Sequence, residues 1–276
     1  MALEEGKELC RIGGKYFDVV KGIEEVIKDH GALPAFPVNI SVNDIGAHYT
    51  PFPGDGMVFR RGDLVKIDVG CHVDGYIADN ALTLELGTER YASLISAAEE
   101  ALESAVETVK EGVRTGEVGQ NIESTIQSRG FVPIKNLSGH AIERFELHAG
   151  LSVPNIGRGK DIIKKGMVLA VEPFATNGKG KVINGRPSEI LHQRVERRLK
   201  GADLDFYNWL SETFNHLPFA SYWCKSYGDD YVQRLQRVKR FGAVMAYPIL
   251  VEAQNGMISQ REKTMIVTSK GARIIT

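Results

Sequence analysis

Two aspartates, Asp68 and Asp79, stand in Val/Ile-rich stretches on either side of Asp74-Gly75, a strong signal for a two-residue hairpin turn. With that turn Val73 faces Tyr76, and counting back places Gly70 opposite Asp79. Side chains alternate along a strand, so Asp68, two residues from Gly70, shares the face of Asp79. Diagonal neighbours of this kind have backbones roughly 7–8 Å apart, and their carboxylates can converge. Two carboxylates inside an apolar hairpin repel each other and are hard to desolvate. A cation between them relieves the conflict, as does a loop cap or a Lys or Arg partner.

Three further residues extend the set. His140 lies in Leu137-Ser138-Gly139-His140, Glu172 inside the apolar run from Val168 to Phe174, and Glu262 inside another from Met257 to Thr268. Two Asp, two Glu and one His are oxygen-rich donors suited to a pair of divalent ions, which at roughly 3.5–4 Å apart hold and activate a water for hydrolysis. With one imidazole and no thiolate, the set suits Co, Mn or Fe better than Zn. Taken singly, Glu262 reads as a solvent-face residue, and His48 and His148 read as loop or core histidines with satisfied hydrogen bonds.

The elements that must position these residues follow from periodicity. Apolar positions recur at helical spacing from Leu3 to Asp29, with Gly31 as a stop, and Pro34, Pro37, Pro51 and Pro53 make the next stretch extended. Residues 64–73 and 76–86 are the strands of the hairpin, followed by helices over Tyr91–Lys110 and Val118–Arg129, the second starting near Thr115. Gly166–Phe174 reads as a buried strand, and Asn255-Gly256 and Lys270-Gly271 as two more hairpin turns. Helices followed by hairpins thus occur twice. Residues 186–240 break that rhythm with helical patterns at Leu204–Phe214 and Tyr231–Val238 and with both tryptophans, Trp209 and Trp223. They read as a helical insertion within one catalytic domain spanning 1–276. Its ten Lys/Arg against seven acids, Arg197 and Glu196 among them, read as a solvated face rather than a docking patch.

Composition sets outer limits. The 276 residues carry 34 Lys plus Arg against 35 Asp plus Glu, a net charge of -1, which argues against DNA binding by bulk electrostatics. No apolar run approaches the roughly 18 residues of a membrane helix, and Met1 to Cys10 lacks a signal-peptide core. Three scattered cysteines, Cys10, Cys71 and Cys224, fit a reducing cytoplasm.

The ordered set Asp68, Asp79, His140, Glu172, Glu262 resembles the dinuclear metal site of methionine aminopeptidases and their pita-bread-fold relatives. Pro34-Ala35-Phe36-Pro37-Val38-Asn39-Ile40-Ser41, Ala47-His48-Tyr49-Thr50-Pro51, Lys66-Ile67-Asp68-Val69-Gly70 and His148-Ala149-Gly150 are similar to type 2 members, and the compact N-terminus to archaeal ones. The 90-residue gap between Glu172 and Glu262 matches the helical insertion of type 2 members. The resemblance covers essentially the whole chain. It implies an α+β pita-bread (creatinase/aminopeptidase) fold, a curved antiparallel sheet with outer helices.

It further implies removal of the N-terminal initiator methionine from nascent polypeptides by a cytoplasmic hydrolase with two divalent ions per chain, expected as a monomer. Asp68, Asp79, His140, Glu172 and Glu262 would be the metal ligands. Glu172 would double as the base, His148 would steady the scissile carbonyl and the tetrahedral oxyanion, and His48 would position the first peptide group or donate a proton. Phe36, Phe174 and Tyr247 match positions facing the methionine side chain, with Leu250 and His192 nearby. The chain departs from the family at Gln260-Arg261-Glu262-Lys263-Thr264, where an aromatic usually precedes the Glu and a His follows it. In a strand, Arg261 and Lys263 point away from the face of Glu262. A mildly basic insertion is compatible with ribosome contact. Two alternatives stay open: an X-Pro-type peptidase of this fold, usually with an added N-terminal domain, and a non-catalytic binding homologue, marked by lost metal ligands.

Overall fold

A computed structural model of the chain describes residues 1–195 and 198–276. Glu196 and Arg197, counted above in the insertion, lie outside the described residues. The chain opens with a helix pair, α1 (Ala2–Leu9) and α2 (Tyr16–Asp29), rather than the single helix expected from Leu3 to Asp29. The break falls at Gly13, whose φ of 83° is left-handed, and Gly14. Gly13 donates to the Phe59 carbonyl and the Phe59 N–H donates to Gly14, so the turn is tied to a later loop. Apolar periodicity survives the break because Leu3 on α1 and Val19, Val20 and Ile23 on α2 bury into one core.

Short strands β1 (Leu33–Pro34), β2 (Asn39–Val42) and β3 (Ile45–Ala47) precede the long pair β4 (Leu64–Val73) and β5 (Tyr76–Glu85). Asp74 and Gly75, at φ 52° and 84°, supply the two left-handed residues a type I′ turn needs. The ladder runs as the sequence implies, with Val73 opposite Tyr76 and Gly70 opposite Asp79.

The second helix pair, α3 (Ala92–Thr108) and α4 (Thr115–Ser128), begins and ends within two residues of expectation. After it come β6 (Val132–Pro133), β7 (Ser138–Ile142), β8 (Ser152–Pro154), β9 (Val168–Val171), β10 (Phe174–Thr176) and β11 (Val182–Gln193). Residues 186–193 therefore continue a strand instead of opening a helical segment. Their ladder partner, β13 (Val244–Glu252), comes only after the insertion. The helices start at α5 (Ala202–Phe214) and resume, after β12 (Phe219–Ala220) and a 3-10 turn (Ser221–Tyr227), with α6 (Tyr231–Arg240). Phe206, Leu210, Phe219 and Val238 form a separate apolar cluster there, with Trp209 and Trp223 packed against it.

The chain closes with β14 (Ile258–Gln260), β15 (Lys263–Thr268) and β16 (Gly271–Ile274). Asn255 does turn, at φ 57°, but β13 pairs with β11 and β3 while β14 pairs with β10, so no hairpin forms there. The β15–β16 hairpin does form, with Thr268 opposite Gly271.

All strand pairs among the described residues are antiparallel, and the helix pairs lie outside the sheets. β1, β4, β2 and β5 form one sheet, β14, β10 and β6 a second, and β16, β15, β9, β7 and β8 a third; β12, β11, β13 and β3 form a fourth. One register links the second sheet to the third: Phe174 opposes Gln260, and Val171 opposes Lys263. Continuing that count sets Glu172 against Glu262. Each of these two strands is interrupted at its glutamate, so both carboxylates enter where the sheets meet.

Gly139 on β7 has no room for a side chain, because a Cβ would lie 2.3 Å from the Ala170 carbonyl oxygen. Backbone cannot yield as a flexible side chain can. Gly139→Ala is expected to lose ~1–3 kcal/mol of stability in denaturant unfolding; unchanged stability would mean the β7–β9 contact is looser than described.

Candidate active site

β4 carries Asp68 and β5 carries Asp79, as the hairpin register requires. His140 projects from β7, Glu172 from the break between β9 and β10, and Glu262 from the break between β14 and β15. All five line a single cavity of about 240 Å³ together with Phe36, His48, His148, Phe174 and Tyr247. Leu250 and His192 do not line it. Leu250 packs against the cluster holding Phe174, and the His192 ring lies 4.8 Å from that of Tyr247.

The aromatic wall depends on a glycine. A Cβ on Gly70 would sit 2.1 Å from the Phe36 ring, so a side chain there would displace Phe36. His48 follows β3 at φ 65°, a left-handed conformation that a non-glycine residue adopts only when held. Asn39 holds it: its Oδ1 accepts the His48 N–H at 2.7 Å, while its Nδ2 donates to the Pro37 carbonyl at 2.9 Å. The His48 Nδ1 lies 3.2 Å from the Pro248 carbonyl oxygen. A carbonyl only accepts, so Nδ1 carries the proton and Nε2 keeps a lone pair. Burial pushes the His48 imidazole down to about 4, leaving it neutral at physiological pH.

His140 is arranged in the same way. Its Nδ1 donates to the Ala141 carbonyl at 3.3 Å, which frees the Nε2 lone pair, 3.8 Å from Asp79 Oδ2. Burial first, and then neighbouring His148, hold His140 down to about 4. The His148 ring stands 4.4 Å from that of His140. By surface area His148 is exposed at the cavity mouth, yet the protein crowding its ring still lowers its basicity.

The carboxylates show the opposite displacement. Burial raises Asp68 to about 7, outweighing the lowering influence of neighbouring Gln260 and Asp79. Asp79, Glu172 and Glu262 lie well above the carboxylate range, first through burial and then through neighbouring carboxylate charge: Asp68 acts on all three, Asp79 on both glutamates and Glu172 on Glu262. Asp68 Oδ1, Asp79 Oδ1 and Glu262 Oε1 are buried with no hydrogen-bond partner. Acceptor oxygens left in that state are costly. Asp79, His140 and Glu262 each bring one donor atom within 4.8 Å of the others. Unpaired oxygens facing an imidazole lone pair form a donor set for a divalent cation, which would satisfy all of them together.

Arg261 and Lys263 do not compete for that place. Both line a groove behind the sheet beside Glu99 and Glu103 of α3, and Lys263 Nζ donates to the Thr276 carbonyl at 2.8 Å. Gln260, absent from the sequence-derived site, sets its amide nitrogen 3.5 Å from both Glu172 Oε2 and Glu262 Oε2. Asn39, Leu137, Leu147, Ile190 and Pro218 also reach the cavity unforeseen. Asn39 stands opposite Asp68 in the β2–β4 ladder, a pairing that the sequence does not announce.

An antiparallel α+β fold enclosing acids and histidines of this kind offers a metal-binding site. The chain belongs to metallopeptidase family M24, which matches residues 1–200. It is 44% identical over 273 residues to the methionine aminopeptidase of Thermococcus onnurineus, covering 97% of this chain and 92% of that one. Among solved structures, the methionine aminopeptidase of Thermotoga maritima superposes with a TM-score of 0.71 at 25% identity, covering 99% of this chain and 90% of that one. A thermophilic Arx1 superposes with a TM-score of 0.84 at 18% identity, covering 99% and 86%, and shares the fold.

In the metal-free protein these raised carboxylates bind more protons folded than unfolded. Their contribution to stability therefore falls as pH rises from about 4, through the folded value of about 7 for Asp68. Glu262→Gln is expected to stabilise the metal-free protein at pH 8 by about 1.4 kcal/mol for each pKa unit of relieved repulsion, with little effect at pH 5. Thermal unfolding at both pH values checks this, and a destabilised variant at pH 8 would contradict it.

Proposed function

We propose that the chain removes the N-terminal initiator methionine from nascent polypeptides, using two divalent ions held by Asp68, Asp79, His140, Glu172 and Glu262. The observation that carries this reading is the meeting of unpaired buried carboxylate oxygens with a histidine lone pair inside a cavity that also has apolar walls. Co, Mn or Fe suits this donor set best, with Zn a weaker fit. Bound metal would lower the pKa of a water towards neutrality and polarise the scissile carbonyl.

The protein's own residues supply the rest. Phe36 and Phe174, with Tyr247 beside them, offer the flexible thioether an apolar slot, reinforced by Leu137 and Leu147. Glu172, raised in basicity by burial, accepts the proton of the attacking water. His148, at the mouth, donates to the carbonyl oxygen as negative charge develops there. His48 presents its Nε2 lone pair to the first peptide N–H, because its other nitrogen is committed to Pro248.

A nascent-polypeptide substrate and three free cysteines support a cytoplasmic location for this activity. The same reading treats 1–276 as one catalytic domain acting as a monomer, with the insertion available to the ribosome and no DNA or membrane partner. No helix among the described residues is long and apolar enough to cross a membrane.

Hydrolysis of Met-Ala-Ser and Ala-Pro peptides with added Mn or Co tests the reading. Release of Met that chelator abolishes is expected; cleavage before Pro alone would favour an X-Pro peptidase, and inactivity with metal a binding homologue. His148→Ala is expected to fold and lose roughly 10²–10³ in turnover, as removal of one oxyanion donor does. Asp79→Ala should be at least as impaired. Wild-type turnover in either variant would remove that residue from the mechanism.

A further inference from the structure

β5 is bonded to β4 along one edge only. Its other edge faces the break between β14 and β15, and the two run antiparallel in a fixed count: Asp79 beside Thr264, Ala81 beside Glu262, Thr83 beside Gln260. Only the centre is an ordinary backbone bond, from the Glu262 N–H to the Ala81 carbonyl at 3.0 Å. On one side the Thr264 hydroxyl accepts the Asp79 N–H at 2.8 Å and donates to the Asp79 carbonyl at 2.7 Å. On the other the Thr83 hydroxyl accepts the Gln260 N–H at 2.8 Å and donates to the Gln260 carbonyl at 2.7 Å. One hydroxyl can donate and accept at once, so each threonine satisfies both backbone groups of the residue opposite.

The two clasps are reciprocal: a β15 side chain holds β5 backbone, and a β5 side chain holds β14 backbone. Both threonines are buried. The residues held are the ones that matter to the cavity. Asp79 contributes a cavity carboxylate, and Gln260 sets its amide against Glu172 and Glu262. A direct backbone ladder would draw the strands to roughly 4.7–4.9 Å; here a threonine hydroxyl stands between the two backbones on each side of Glu262.

We propose that Thr83 and Thr264 are positioning residues of the metal site, fixing the strand that bears Asp79 against the break that bears Glu262 through paired hydroxyl clasps. The inference rests on the metal-binding reading above. Partners that orient ligands in this way typically govern metal affinity by 10–100-fold.

The test uses the full chain, stripped of metal and titrated calorimetrically with Mn(II) alone, with thermal unfolding followed separately. Thr264→Val and Thr83→Val keep shape but lose the hydroxyl, and each is expected to bind Mn(II) 10–100-fold more weakly. Thr264→Ser and Thr83→Ser keep the hydroxyl and are expected to stay within about threefold of wild type. Thr176→Val is the control: it loses a buried hydroxyl that accepts the Gly178 N–H outside the cavity. It should unfold at lower temperature with unchanged Mn(II) affinity. Valine variants that lose stability yet bind Mn(II) like wild type would reduce the threonines to packing and overturn the proposal. Should the valine variants not fold, the serine pair decides, since a tenfold loss there would show that the hydroxyls do not set affinity. Wild-type protein that binds no Mn(II) would overturn the metal reading, and the clasps' role with it.

Discussion

Four carboxylates within one cavity repel one another, and the fold is built so that they cannot move apart. Asp68 and Asp79 are fixed by a hairpin whose register is set by a two-residue turn. Glu172 and Glu262 enter at matching interruptions of two paired strands. His140, held neutral by burial and tied through Nδ1 to a carbonyl, closes the set with a lone pair. An apolar core gains nothing from such a cluster, and in the absence of a cation Asp68 Oδ1, Asp79 Oδ1 and Glu262 Oε1 lie buried and unpaired. The arrangement sacrifices stability for a pre-formed donor set, as functional sites commonly do.

The surrounding sheets serve that constraint. Three of them converge on the cluster. Helices α1 and α2 cover the sheet that bears the aspartates, and α3 and α4 cover those that bear the glutamates and His140. Glycines appear where ligands must approach closely: Gly70 admits the Phe36 ring, and Gly139 lets β7 lie against β9 next to His140. Asn39 spends both ends of its amide locally, one of them to keep His48 in a left-handed conformation beside the cavity. Family membership in M24 agrees with this division of labour.

Much of the site was legible in the sequence because its signals are local. Asp74-Gly75 specifies the turn, the turn specifies the register, and the register brings Asp68 and Asp79 together. Glu172 stood out as an acid in an apolar run, whereas Glu262, taken singly a solvent-face residue, joined the set only in company with the others. The fold was less legible wherever pairing is remote. Residues 186–193 are a strand because β13 returns after the insertion to pair with them. Asn255-Gly256 turns the chain into a different sheet rather than a hairpin. The helix break at Gly13-Gly14 was hidden because apolar spacing continues through it. Asn39, Gln260, Thr83 and Thr264 carried no motif at all, since their roles arise from contacts across sheets.

On the proposed function, the carboxylate cluster holds a pair of cations. Anomalous diffraction from crystals of the protein saturated with Mn(II) tests it most directly. Two peaks roughly 3.5–4 Å apart, bounded by Asp68, Asp79, His140, Glu172 and Glu262, are the expected result. No peak within that cluster, or ions bound only elsewhere on the molecule, would contradict it.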